Sequence, residues 1–149
     1  MGTRRRAREF ALQILYQLDV QAQMSDDQAI ATFWRNFAAN AEAEGADKPA
    51  ELDEVQPFAE KLVRGVREHA AELDAQIQSA SKNWRLERMA RVDRNLLRLG
   101  LYELKYADDV PAKVAINEAI EIAKRYGTNE SSAFVNGILD RCREELGKK

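Results

Sequence analysis

Apolar residues recur at helical spacing along almost the whole chain, and the polar positions between them fall on opposite faces. From about Arg5 to Gln21, Phe10, Leu12, Ile14, Leu15 and Leu18 predict a first helix with one wide apolar face. A second starts after Ser25, with Asp26 and Asp27 in its first turn and Ile30, Phe33, Trp34 and Phe37 inward. Phe58, Leu62, Val66, His69, Leu73 and Ile77 line one face of a long helix that reaches about Ser79. A short helical turn near Trp84 to Met89 precedes a helix from about Val92 to Ala107. In that helix Leu96, Leu97, Leu99, Leu101 and Leu104 point around most of the circumference, which marks it as central.

Two further helices end the chain. Pro111 suits a first helical position, Val114, Ile116, Ala119, Ile120 and Ala123 form a stripe, and Gly127 supplies a left-handed stop. After the short exposed link Thr128-Asn129-Glu130, a last helix opens near Ser131 or Ser132 and carries Val135, Ile138, Leu139, Cys142 and Leu146 at i, i+3, i+4, i+7 spacing. The expected fold is all-α: one compact domain over 1–149 with about seven helices in two packed subbundles, Gly65 and Gly100 permitting close packing. An acidic stretch at 42–54, holding a Gly and a Pro, reads as a surface linker.

Composition supports a globular body, since 149 residues with 45% hydrophobic content can bury a core without disulfides or metals. The net charge of -2 excludes a uniformly basic nucleic-acid binder, yet charge is uneven. Arg4, Arg5, Arg6 and Arg8 crowd the start of the first helix, where cations oppose the macrodipole by roughly 0.3–1 kcal/mol each. Either a partner anion relieves that conflict or the terminus is frayed and solvated. Tyr126 and Phe134, beside the polar turn, could form a stacking surface; Phe134 fits the core at the helix start equally well.

Candidate chemistry is sparse. Cys142 is the lone cysteine and His69 the lone histidine, each within an apolar stripe, so no disulfide, no metal site and no cofactor is expected. No Gly-rich phosphate loop or nucleophile elbow occurs, and Glu118 with Glu121 reads as a solvated pair, so the chain is not expected to be an enzyme. With no apolar signal core and no membrane-length apolar run, a cytoplasmic location is expected.

The start Arg4-Arg5-Arg6-Ala7-Arg8-Glu9, the helix Leu101-Tyr102-Glu103-Leu104, and the run VPAKVAINEAIEIAKRYG followed by FVNGILD resemble the NusB family of bacterial transcription antitermination proteins. The resemblance spans nearly the whole chain. It implies an all-helical adaptor that binds single-stranded boxA RNA of ribosomal RNA leaders together with NusE, a ribosomal small-subunit protein. The complex would let RNA polymerase read through terminators. The resemblance assigns RNA contacts to Arg4, Arg5, Arg6 and Arg8, to Phe134 as a base-stacking ring, and to Tyr126, Asn129, Glu130 and Ser132 around the turn. Contacts to NusE fall to Tyr16, Glu87 and Asp93. Two alternatives stay open: a protein-only interaction module or homodimer, and the helical domain of a ribosomal RNA methyltransferase. The second is disfavoured because no methionine-cofactor loop or catalytic cysteine domain follows.

Overall fold

The computed structural model describes residues 2–43 and 52–149, and among these it contains seven α-helices, one short 3-10 turn and no strand. The helices are α1 (Thr3–Val20), α2 (Asp26–Ala43), α3 (Leu52–Glu68), α4 (Ala70–Ala80), α5 (Arg91–Tyr106), α6 (Ala112–Tyr126) and α7 (Ser131–Glu145), with the turn at Leu86–Arg88. The all-α expectation therefore holds. Of the proposed linker, Glu42 and Ala43 close α2 and Leu52, Asp53 and Glu54 open α3, while 44–51 lie outside the described residues. The chain divides into two compact units, Met1–Arg64 and Gly65–Lys149.

In the first unit, Ser25 starts α2 with a reciprocal cap: its Oγ accepts from the Gln28 amide at 3.1 Å, and Gln28 Oε1 accepts from the Ser25 amide at 3.0 Å. Two donors that a helix start leaves orphaned are thereby satisfied. Phe33, Trp34 and Phe37 on α2 meet Phe10 of α1 in a four-ring cluster with centroids 4.9–6.4 Å apart, mostly edge to face. Ala7, Leu52, Val55 and Ala59 complete this core, with Phe58 half-buried against it.

The second unit is organised by α5, which contacts α4, α6 and α7. Leu96, Leu97, Leu99, Leu101 and Leu104 are all buried, as an all-round apolar helix requires. A Cβ placed on Gly100 would lie 2.7 Å from Leu139 Cδ1, and one on Gly65 would lie 2.2 Å from Tyr102 Cζ, so both glycines stand where another side chain already fills the space. Arg98 braces α5 to α4 by a two-point pair with Asp74, at 2.7 and 3.1 Å.

Four local expectations are corrected. The long helix to Ser79 is two helices, α3 and α4, because His69 turns the backbone at φ -105, ψ 17. The i to i−4 hydrogen bonds His69 N to Gly65 O and Leu73 N to His69 O persist across the turn, so the apolar stripe gives no sign of it. α3 also begins at Leu52 and takes Pro57 into its interior. Pro57 forfeits one backbone donor there, at an exposed position. Pro111 precedes α6 as its cap rather than entering it, and Val114 is 45% exposed; Ala115, Ile116, Ala119, Ile122 and Ala123 form the buried face. Gly127 is extended, φ -99, ψ -166, and not left-handed. It is needed for space: a Cβ there would sit 2.4 Å from Ser131 Oγ.

Candidate nucleic-acid interface

The arginine-bearing start of α1 is helical from Thr3 and has no acidic residue in its first turn, so the dipole conflict expected from the sequence is present. Aromatic faces offset it. The Arg4 guanidinium lies 4.1 Å from the Phe58 ring centroid and Arg8 reaches the same ring at 5.8 Å, while Arg6 lies 5.3 Å from Phe10. Exposure then separates the four cations. Arg4 is exposed and Arg5 and Arg6 are half-buried, whereas Arg8 is 4% exposed. Arg8, expected among the RNA contacts, is thus held inside the unit, and Arg4 lies over the Phe58 ring as an exposed residue. Arg6 Nε is buried with no hydrogen-bond partner.

In the second unit, the polar turn between α6 and α7 is tied by Ser131. Its buried Oγ accepts from the Thr128 amide at 2.9 Å and lies 3.3 Å from Thr128 Oγ1, and the Glu130 amide donates to Thr128 Oγ1 at 3.3 Å. Ser131, which sequence reasoning passed over in favour of Ser132, is therefore the residue that shapes the turn. Ser132 is half-buried, and Asn129 and Glu130 are exposed at the apex. Tyr126 is half-buried with the Arg125 guanidinium 5.4 Å from its ring centroid. Phe134 is half-buried in the first turn of α7 and meets the ring of Trp84 at 6.0 Å and 86°. Trp84, 60% exposed, is the aromatic the sequence reading did not single out. Its signal was its position, an aromatic off the helical stripe in the polar segment Lys82-Asn83-Trp84-Arg85.

The residues expected to meet a protein partner divide between the units. On α1, Tyr16 is 40% exposed and Val20, four positions on, is 47% exposed, so one edge of the helix presents apolar surface. In the second unit, Glu87 is exposed and pairs with Arg85 at 2.8 Å; a backbone hydrogen bond above all, joined by the Arg85 cation, lowers its carboxyl against an opposing push from desolvation. Asp93 lies in the first turn of α5, where a carboxylate complements the helix dipole, and its Oδ1 is buried without a hydrogen-bond partner.

Chemistry of other kinds has little to work with. No group of His, Cys, Asp and Glu that could hold a metal occurs among the described residues. Burial pushes the Cys142 thiol up to about 11, away from reactivity. His69 stacks on Tyr106 at 4.2 Å and 18°, with Nδ1 3.6 Å from Glu72 Oε1. No helix among the described residues is long and apolar enough to cross a membrane.

These features describe an all-helical protein that exposes cations at the start of α1 and aromatic rings beside structured turns. Residues 5–144 match the NusB family model, and a transcription antitermination protein NusB of Myxococcus xanthus is 50% identical over 99% of both chains. One from Anaeromyxobacter dehalogenans is 53% identical over 96% of this chain and 92% of its own. Among solved structures, T. maritima NusB superposes with a TM-score of 0.79 at 38% identity, covering 95% of this chain and 91% of that one. A complex of the antitermination factors NusB and NusE with double-stranded RNA shares the fold at 23% identity, with a TM-score of 0.77 and coverage of 97% and 98%. The chain belongs to the NusB family of transcription antitermination proteins, and with that family it is a non-enzymatic factor.

Proposed function

We propose that the protein is an adaptor that binds the boxA element of ribosomal RNA leader transcripts together with NusE, and thereby carries RNA polymerase past terminators in those operons. The observation that carries this reading is Arg4: an exposed arginine lying over the Phe58 ring at the start of a helix whose first turn holds no acid. Such a cation lacks a charge partner in its own first turn and suits a phosphate. In the other unit, Phe134 beside a turn held rigid by Ser131 supplies a ring for an unstacked base, worth about 1–3 kcal/mol per stack. The neighbour that contains NusB, NusE and double-stranded RNA supports NusE and RNA as classes of partner, without bearing on strandedness. Tyr16, Glu87 and Asp93 are the positions proposed to meet NusE.

No covalent step is needed. Binding RNA and NusE on one small body raises the effective concentration of each for the other, so affinity for the pair exceeds affinity for either. Fluorescence anisotropy of a short boxA RNA against a scrambled control, over a series of salt concentrations and with and without NusE, tests this. Selective binding that tightens with NusE is expected. Equal, weak binding of both RNAs under every condition would leave a protein-only module or a homodimer instead.

A further inference from the structure

Trp84 is exposed, but its backbone is not loose. Its carbonyl accepts from Gln78 Nε2 at 2.7 Å and from Ser81 Oγ at 3.0 Å, and its amide donates to the Ser81 carbonyl at 2.8 Å. Gln78 Oε1 in turn accepts from the Leu86 amide at 2.8 Å, so a single side chain clamps both sides of the loop. Ser81, the other clamp, is 6% exposed. A lone exposed aromatic is ordinary. One whose backbone is fixed by buried and half-buried polar side chains starts from fewer ring positions than an aromatic on a loose loop, which removes part of the entropic cost of binding.

The ring stands against Phe134 at 86°, and Lys82 and Arg85 flank it as exposed cations in the same loop; Arg85 is held by a solvent-screened surface pair with Glu87 at 2.8 Å, which a phosphate can displace. We infer that Trp84 and Phe134 form a two-faced stacking corner for neighbouring bases of single-stranded RNA, with Lys82 and Arg85 on the adjoining phosphates. Two planes at nearly a right angle cannot both lie flat on bases that remain stacked on each other. The strand must therefore turn at the corner and open one stacking step, which a single strand tolerates and a duplex resists. Cations on the sugar-phosphate side and rings under the bases are the pairing that holds single strands without a deep pocket. This inference rests on the RNA-binding reading above and extends it to residues that the polar turn does not contain.

The chain has two tryptophans, Trp34 and Trp84, so a Trp34→Phe protein reports from Trp84 alone. Short single-stranded boxA RNA is titrated into it while indole emission and the anisotropy of labelled RNA are followed together; the same RNA annealed to its complement serves as the second probe. Quenching that tracks binding of the single strand and is much weaker with the duplex is expected. In the otherwise native protein, Trp84→Ala should weaken single-strand binding about tenfold with an unchanged salt slope, and Trp84→Phe should recover most of it. Circular dichroism of each variant verifies folding. RNA binding with unaltered Trp84 emission and unaltered affinity of Trp84→Ala overturns the corner while leaving the RNA reading in place. Equal quenching by duplex overturns the single-strand geometry, and absence of any RNA binding overturns both readings.

Discussion

Gly100 of α5 and Leu139 of α7 share a space that holds only one side chain: a Cβ on Gly100 would lie 2.7 Å from Leu139 Cδ1 and 3.2 Å from Cδ2. Leu139 is fully buried, so any shift of its side chain has to be taken up by the core around it. Gly100→Ala should therefore destabilise the protein, because overpacking of about 1–3 kcal/mol outweighs a helix-propensity gain of up to about 1 kcal/mol. At Gly137, also within a helix, a Cβ meets nothing within 4 Å. There the same substitution should stabilise by about 0.5–1 kcal/mol. Urea denaturation of the two variants checks both signs, and shifts in the same direction would contradict the packing argument.

The arginines of α1 should part company under mutation. Arg8→Ala removes a buried side chain lying against Phe58 and is expected to lower stability by about 1–2 kcal/mol. Arg4→Ala should leave the melting temperature nearly unchanged, weaken all RNAs alike and flatten the salt dependence by about one phosphate contact. Thermal melts beside RNA titrations at several salt concentrations decide this.

Phe134→Ala should weaken RNA binding about tenfold without altering the salt slope, since a ring neutralises no phosphate. A large fall in melting temperature with intact RNA affinity would instead make Phe134 a packing residue for Trp84.

The cap on α2 gives a purely local expectation. Ser25→Ala loses the bond to the Gln28 amide and should cost about 1 kcal/mol, read as a shifted urea midpoint with an unchanged slope.

For Cys142, burial raises the thiol to about 11, so the folded state holds its proton more tightly than the unfolded chain. Its contribution to stability is complete below the ordinary thiol range and is lost as pH rises through that range toward about 11. A thiol reagent at pH 8 should label the native protein far more slowly than the urea-unfolded chain; equal rates would place the thiol at the surface.

Helices with an unbroken stripe were readable directly, as in α1, where Phe10, Leu12, Ile14, Leu15 and Leu18 are all buried. The break at His69 was not, because hydrogen bonding and apolar phase continue through it. Gly127 was assigned to the right place for the wrong cause: a glycine ending a helix usually serves a left-handed turn, whereas here it makes room for Ser131. Arg8 and Arg4 look equivalent in a run of arginines and both meet the ring of Phe58, far along the chain; only their burial in the folded unit separates the sequestered Arg8 from the exposed Arg4.

Period and motif order, both properties of neighbouring residues, were enough to determine an all-helical protein and its family, and to propose the turn beside Phe134 as its site. The tertiary structure alone decided which arginines face water, why particular glycines are required and that Trp84 stands against Phe134. Each of these depends on two residues distant in the chain meeting in space, and no local pattern encodes such a meeting.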